Sequence, residues 1–104
     1  MNEAPRPLPL SFNRHGHTYE QWMVDAARSA AIYKIKLPGK DKSLLGYEVV
    51  RVRIAKESKL PGGKVAPLRE VYPGDEEFGT HGWGYSPEQL SVATNKFSSI
   101  RSKE

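Results

Sequence analysis

The segment from Ser86 to Ile100 constrains the fold more than any other part of the chain, because it carries a well-marked helix start. Ser86 suits the N-cap position, and Pro87 suits the first helical position, where its missing N–H would be unpaired in any case. Gln89 completes an S-x-x-Q capping box. Apolar residues then recur three or four positions apart: Leu90, Ala93, Phe97 and Ile100. We therefore predict a helix from Pro87 to about Arg101 with one narrow apolar stripe.

A helix of this length is marginally stable by itself in water, so its apolar stripe must be buried against another part of the fold. Much of the chain upstream has the alternating pattern of β-strands. The sequence therefore predicts an α+β fold, in which a small antiparallel sheet of about four strands is packed by one C-terminal helix.

Two of the predicted strands follow each other closely in the middle of the chain. Their apolar positions are Tyr33, Ile35 and Leu37 in the first and Val50, Val52 and Ile54 in the second. Their cationic positions are Lys34 and Lys36 in the first and Arg51 and Arg53 in the second. Paired as an antiparallel hairpin, the strands would place the cations on one outer face and the branched residues beneath the helix.

The cationic face of this hairpin is the candidate binding site. Tyr47 and Val49 would share it with the two arginines, and apolar atoms among charges are typical of protein-binding surfaces. The predicted partner-binding residues are Lys34, Lys36, Tyr47, Arg51, Arg53 and Lys56. Further lysines flank them: Lys40, Lys42 and Lys59. The alternative is a merely solvated face, since lysine and arginine on exposed strands also prevent edge aggregation.

Charge is unevenly distributed along the chain. The net charge is +4, but residues 34–64 carry nine basic and three acidic side chains, whereas residues 65–104 carry four basic and six acidic ones. This asymmetry favours a partner that offers negative charge. An acidic patch on a protein is the first candidate. Nucleic acid is the alternative for the basic hairpin of residues 34–59, since a two-stranded ribbon fits the major groove of DNA.

The segment HTYEQWMVDAARSA, residues 17–30, supports two interpretations. Thr18 and Gln21 resemble a capping box, and the residues after them form a helical face, which predicts a helix over residues 19–30. Alternatively, residues 17–24 form a strand rich in aromatic and branched side chains that stops at a DAARS turn. Local propensity favours the helix.

Shorter elements complete the predicted organisation. Leu68–Tyr72 forms a short strand that ends at a Pro-Gly turn, and Gly82–Tyr85 forms a strand that leads into the helix. Residues 1–11 are Pro-rich, which predicts a flexible arm in front of a single domain over residues 12–104.

Composition excludes several kinds of protein. The 104 residues contain no cysteine, which rules out disulfides, thiolate metal sites and a cysteine nucleophile. No apolar run approaches the roughly 18 residues of a membrane-spanning helix, and the first residues lack the apolar core of a signal peptide. We expect a soluble, intracellular protein.

No motif predicts a catalytic or metal site. His15, His17 and His81 could join Asp75 around a metal, but no second paired spacing supports such a site. The acidic run over residues 75–77 could supply general acid–base catalysis, yet neighbouring loop carboxylates are normally both exposed. Neither a phosphate-binding glycine loop nor a nucleophile elbow is present. We therefore predict no catalytic residues, no metal and no cofactor.

Four segments carry a resemblance to a known family: residues 31–33, 47–53, 69–73 and 76–85. Through them the chain resembles a family of small uncharacterised proteins carried by bacteriophages and prophages, over roughly residues 12–100. The resemblance implies strand and turn after Gly16, a phage accessory context and no catalytic residues. The expected function is that of a non-enzymatic protein in the cytoplasm of a bacterial host, which binds a bacterial macromolecule as a host-directed or anti-defence inhibitor.

Overall fold

The computed structural model describes residues 5–37 and 43–102, with side chains described as far as Ile100. The strands within these residues are β1 (Ser11–Arg14), β2 (His17–Val24), β3 (Ala30–Lys36), β4 (Leu44–Arg51), β5 (Arg53–Ala55), β6 (Ser58–Lys59), β7 (Val65–Ala66), β8 (Arg69–Val71) and β9 (Gly82–Tyr85). The helix is α1 (Leu90–Ser102), and short 3-10 turns occupy Pro61–Gly63, Asp75–Glu77 and Pro87–Gln89.

The main sheet has five strands in the order β1-β2-β3-β4-β9, and every neighbouring pair is antiparallel. Helix α1 packs on one face of it, against β3, β4 and β9. The predicted α+β fold, an antiparallel sheet covered by a C-terminal helix, is therefore confirmed. Two separate two-stranded ribbons, β5–β8 and β6–β7, lie in the connection between β4 and β9. Within the described residues, no helix has the length and apolar character needed to cross a membrane.

The helix begins as its local sequence predicts. The Ser86 N–H donates to Gln89 Oε1 at 3.0 Å, and the 3-10 turn runs directly into α1. Phe97 and Ile100 are buried against the sheet, as the apolar stripe requires. Leu90, the first residue of α1, is 39% exposed, so the expectation that it is buried with them is wrong.

Helix α1 packs on the face of the hairpin opposite to the one predicted. Ile32 and Val49 pair across β3 and β4 and are fully buried in one cluster with the helix. We call this side the helix face. Val50 and Val52 belong to the cluster on the opposite face, and Ile54 is exposed. The prediction that these three residues lie beneath the helix is therefore wrong.

Both faces of the central strands are buried, and this explains the error. Residues 30–33 of β3 all have low exposure, as do Val49 and Val50 of β4. A strand that is covered on both sides has no polar face to identify. Alternation of apolar and cationic side chains appears only towards the strand ends, so it could not indicate which face carries the helix.

Aromatic side chains fill the opposite face of the sheet. The rings of Phe12, Tyr19, Tyr33 and Tyr72 lie against one another with centroid separations of 4.9 to 6.2 Å. Most of these contacts are edge-to-face, an arrangement that aromatic rings favour. The opposite face is therefore a second core and not a solvated surface.

The predicted flexible arm is not confirmed where the structure describes it. Leu8 is only 2% exposed, and the Tyr33 hydroxyl donates to the Pro9 carbonyl at 2.5 Å. Arg6 forms a β-bridge to β8. These contacts hold the segment across the opposite face. Residues 1–4 lie outside the described residues.

The segment over residues 17–30 forms strand β2 and a turn, so the helix interpretation is wrong. Asp25 closes the turn: its Oδ1 accepts from the N–H groups of Ser29 at 2.6 Å and Ala30 at 2.9 Å, and its Oδ2 accepts from the Ser29 hydroxyl at 2.7 Å. Asp and Ser compete in this way with helical hydrogen bonds. Pairing of β2 with strands on both sides outweighs the local helix propensity.

Candidate functional site

Four of the predicted binding residues lie on the helix face. Lys34 pairs directly with Tyr47 across β3 and β4, and the two-residue repeat places Lys36 and Arg51 on the same side. Tyr47, however, is buried in the helix-side cluster. Because α1 covers the centre of this face, only side chains at its margins can meet a partner.

Arg53 and Lys56 are separated from those four. Arg53 lies on the ribbon strand β5, and its Nη2 is 2.5 Å from Glu77 Oε2. Lys56 is exposed just beyond β5. The chain leaves the main sheet at Val52, so the expectation that Arg53 shares one cationic face with Arg51 is wrong. The flanking residues that fall outside the described residues are Lys40 and Lys42.

A β-bulge opens the helix face at Trp22. Gln21 pairs with Tyr33 and Met23 pairs with Ile32, which leaves Trp22 as the extra residue of β2. A bulge can redirect a side chain and interrupt regular pairing. Trp22 is 39% exposed and Met23 is 36% exposed. A large apolar surface therefore meets solvent on β2, beside the strands that α1 covers.

Cations border this apolar surface. The Lys34 Nζ lies 4.9 Å from the centroid of the Trp22 indole, within cation–π distance, while the Tyr47 ring lies 5.7 Å from the same indole. Lys36 pairs with Glu20 at 2.8 Å, whereas the described residues show no ion pair for Lys34. We call this region the Trp22 surface, formed by Trp22, Met23, Lys34 and Lys36.

A second cationic group surrounds Trp83 on β9. The Lys96 Nζ lies 4.0 Å and the Arg51 guanidinium carbon 5.8 Å from the indole centroid. The part of the chain that the structure describes offers neither cation an ion-pair partner. We call these three residues the Trp83 cluster. Trp83 also packs on the helix-side core.

Glu48, an acid of the main sheet with a shifted pKa, lies on the opposite face. Burial there raises the pKa of the Glu48 carboxyl above its usual range, against the lowering effect of a hydrogen bond from the Tyr72 hydroxyl. Burial and the nearby Glu48 likewise raise the pKa of Tyr72. Perturbed pKa values occur in active sites and in structural networks alike. Here the pair joins the segment after β8 to the sheet beneath it, which is a structural role.

Asp75 contacts two side chains at the β1–β2 turn, Arg14 and His15. The Arg14 Nη2 lies 2.6 Å and the His15 Nε2 lies 3.1 Å from Asp75 Oδ1, and the His15 contact contributes most to lowering the pKa of Asp75. His17 and His81 do not complete a metal site: in the described ranges, no three His, Cys, Asp or Glu side chains come together in a way that could hold a metal ion. The chemistry that this group offers is ion pairing.

Comparisons of the chain with protein-family models, with curated proteins and with solved structures found no match.

Sequence reasoning identified Lys34, Lys36 and Arg51 but missed the tryptophans that border them. The bulge at Trp22 has no sequence signal of its own, because QWMV is consistent with a regular strand. Lys96 could have been found, since it is one residue before Phe97 on the helix and reaches an aromatic residue of the preceding strand.

Proposed function

We propose that this protein is a non-enzymatic binding module that holds an acidic region of a partner protein against the Trp22 surface. The observation that carries this proposal is the half-exposed Trp22 ring with the Lys34 ammonium above it. Tryptophan contributes heavily to protein interfaces, because it buries a large rigid area on binding. The lysine adds selectivity for a negatively charged partner.

We further propose the biological setting that the sequence resemblance implies, that of a bacteriophage accessory protein. In that setting the partner is a bacterial protein in the host cytoplasm, and the module acts as a host-directed or anti-defence inhibitor by occupying its acidic surface. A small rigid sheet suits this role, since little order has to be gained on binding.

Capture from a bacterial lysate, with and without nuclease, tests the proposal. We compare the unmodified protein with a Lys34→Glu/Lys36→Glu variant and with a Lys59→Glu/Lys64→Glu control, which carries the same charge change outside the main sheet. We expect one nuclease-resistant acidic protein to be captured by the unmodified chain and the control, and lost with the first variant. Equal capture by both variants would contradict the proposal. Melting temperatures verify folding, because Lys36 pairs with Glu20.

Nucleic acid is the second candidate partner, and the Trp83 cluster is the observation in its favour. An aromatic ring beside two cations that have no ion-pair partner among the described residues suits a nucleic-acid strand, whose bases stack and whose phosphates attract Arg and Lys. Fluorescence anisotropy with duplex and single-stranded DNA at rising salt tests it. Salt-sensitive binding that is lost in an Arg51→Glu/Lys96→Glu variant would favour nucleic acid.

A further inference from the structure

Strand β2 extends beyond its outer neighbour. β1 pairs with residues 17–20, and one further hydrogen bond, from the Gln21 N–H to the Leu10 carbonyl at 2.8 Å, ends that contact. In the described residues no strand pairs with the outer side of residues 22–24. The last three residues of β2 therefore form a short open sheet edge, at which the Val24 N–H faces outward because the next N–H, that of Asp25, donates inward to the Ala30 carbonyl.

The chain before β1 leaves this edge uncovered. It bends at Leu10 and crosses to the opposite face, where Leu8 is buried. Leu10 itself is 76% exposed, the highest value among the exposed large apolar residues that the structure describes. Leu10 lies at the same end of β2 as Trp22 and Met23, because its carbonyl accepts the Gln21 N–H.

This edge lacks the charges that normally protect an exposed strand. Gln21, Trp22, Met23 and Val24 are all uncharged, and none is proline. The bulge is the one protective device, and it also turns the indole outward. Open backbone next to an exposed apolar patch is the arrangement that accepts an added strand from a partner.

We propose that the outer edge of residues 22–24 binds an extended acidic segment of the partner protein as an added β-strand. This rests on the proposed function and specifies how the partner is held. An added strand would run about 4.8 Å outside β2. Lys34 carries its charge from β3 to a position above Trp22, so it lies within reach of carboxylates on such a strand.

The same charges make a second copy of this chain a poor occupant. Pairing of two β2 edges around a twofold axis would place identical surfaces against each other. The two Lys34 side chains would then approach one seam, where Glu20, the carboxylate opposite Lys34 in the β2–β3 register, already pairs with Lys36 at 2.8 Å. A different protein with alternating apolar and acidic residues satisfies both the apolar and the cationic side chains of the edge.

A seven-residue peptide of alternating glutamate and valine, blocked at both ends, is the probe. Its controls are the lysine–valine peptide and the glutamate–valine peptide with N-methylated valines, which keeps the side chains but removes backbone donors. Binding is measured by NMR titration, and hydrogen exchange reports on the amides of residues 22–24. Trp22→Ala and Lys34→Glu variants are compared with Leu45→Ala, because Leu45 is as exposed as Trp22 but lies on β4.

We expect the acidic peptide to slow exchange at the outward-facing Val24 amide and to bind at least about tenfold more tightly than either control peptide. We expect a similar loss in the Trp22 and Lys34 variants and none in Leu45→Ala. Equal binding of the N-methylated peptide would overturn strand addition while leaving the Trp22 surface as a binding site. Absence of acidic-peptide binding, or protection of this amide by self-association alone, would overturn the inference. The lysate experiment judges the proposed function separately.

Discussion

Arg28 donates two hydrogen bonds to the Glu70 carboxylate, from Nε to Oε2 at 2.6 Å and from Nη2 to Oε1 at 2.8 Å. The Glu70 side chain is 4% exposed, and its Oε1 also accepts the Leu8 N–H at 2.9 Å. One buried carboxylate thus ties the turn after β2, strand β8 and the N-terminal segment to one another.

Removal of the two partners should have unequal effects on stability. Arg28→Ala leaves a buried carboxylate without its cation, and we expect it to cost about 3 to 5 kcal/mol. Glu70→Gln leaves an arginine that is already 39% exposed and can be hydrated, so we expect about 1 to 3 kcal/mol. Urea denaturation of both variants measures the difference. A larger loss from Glu70→Gln would contradict the structural role assigned to Glu70.

Glu48 and Glu70 should have opposite pH dependences. Hydrogen bonds from Arg28 lower the pKa of Glu70, so its stabilising contribution is present above the ordinary value of 4.5 and is lost as the pH falls through the lowered pKa. Burial raises the pKa of Glu48, so its contribution is present below 4.5 and is lost as the pH rises through the raised pKa.

Two conservative variants test these signs. Relative to the unmodified protein, Glu48→Gln should gain stability as the pH rises from about 4 to about 8, whereas Glu70→Gln should lose stability as the pH rises from about 2 to about 6. Urea denaturation across this range gives both trends. Parallel trends in the two variants would show that burial does not dominate at Glu48.

The helix offers a matched pair of substitutions. Phe97 is 4% exposed within the helix-side core, and we expect Phe97→Ala to cost about 3 to 5 kcal/mol. Leu90 on the same helix is 39% exposed, and we expect Leu90→Ala to cost less than about 1 kcal/mol. Thermal unfolding followed by circular dichroism compares them. An unchanged midpoint for Phe97→Ala would refute the packing of α1 on the sheet.

Glycine is required at one position of the sheet and not at another. A methyl group at Gly46 would clash with the Tyr85 carbonyl oxygen on β9, and its distance to the carbonyl carbon would be 3.5 Å. The clash is with backbone, so we expect Gly46→Ala to cost about 1 to 3 kcal/mol. A methyl group at Gly84 meets nothing within 4 Å, and Gly84→Ala should change stability by less than about 0.5 kcal/mol. Denaturant titration of the two variants distinguishes the sites.

The sequence predicted the elements whose signals are local. Ser86 and Gln89 define the helix start through contacts three residues apart, and Gly82–Tyr85 forms the strand before it. Strand β2 was ambiguous, because its choice between helix and strand depends on pairing with β1 and β3. Such pairing is a tertiary property that local propensity does not contain.

The faces of the sheet, and hence the site, were harder to predict. Ile32 and Val50 lie on opposite faces and are both fully buried, so hydrophobicity alone could not place the helix. The predicted cationic face does not form as one surface, because the chain leaves the main sheet at Val52 and so separates Arg53 from Arg51. Trp22 became a candidate binding residue through a bulge, whose position depends on the register between β2 and β3.

The strand order has a consequence for synthesis on the ribosome. Strands β1 to β4 are neighbours in the order in which they are translated, so the emerging chain can assemble them progressively. The outer side of β4 stays unpaired until residues 82–85 have been translated. Ile32 and Val49 stay exposed to solvent until α1 has left the exit tunnel. Premature termination before Leu90 would release a nascent chain with an apolar sheet face exposed, a natural substrate for chaperones and proteases.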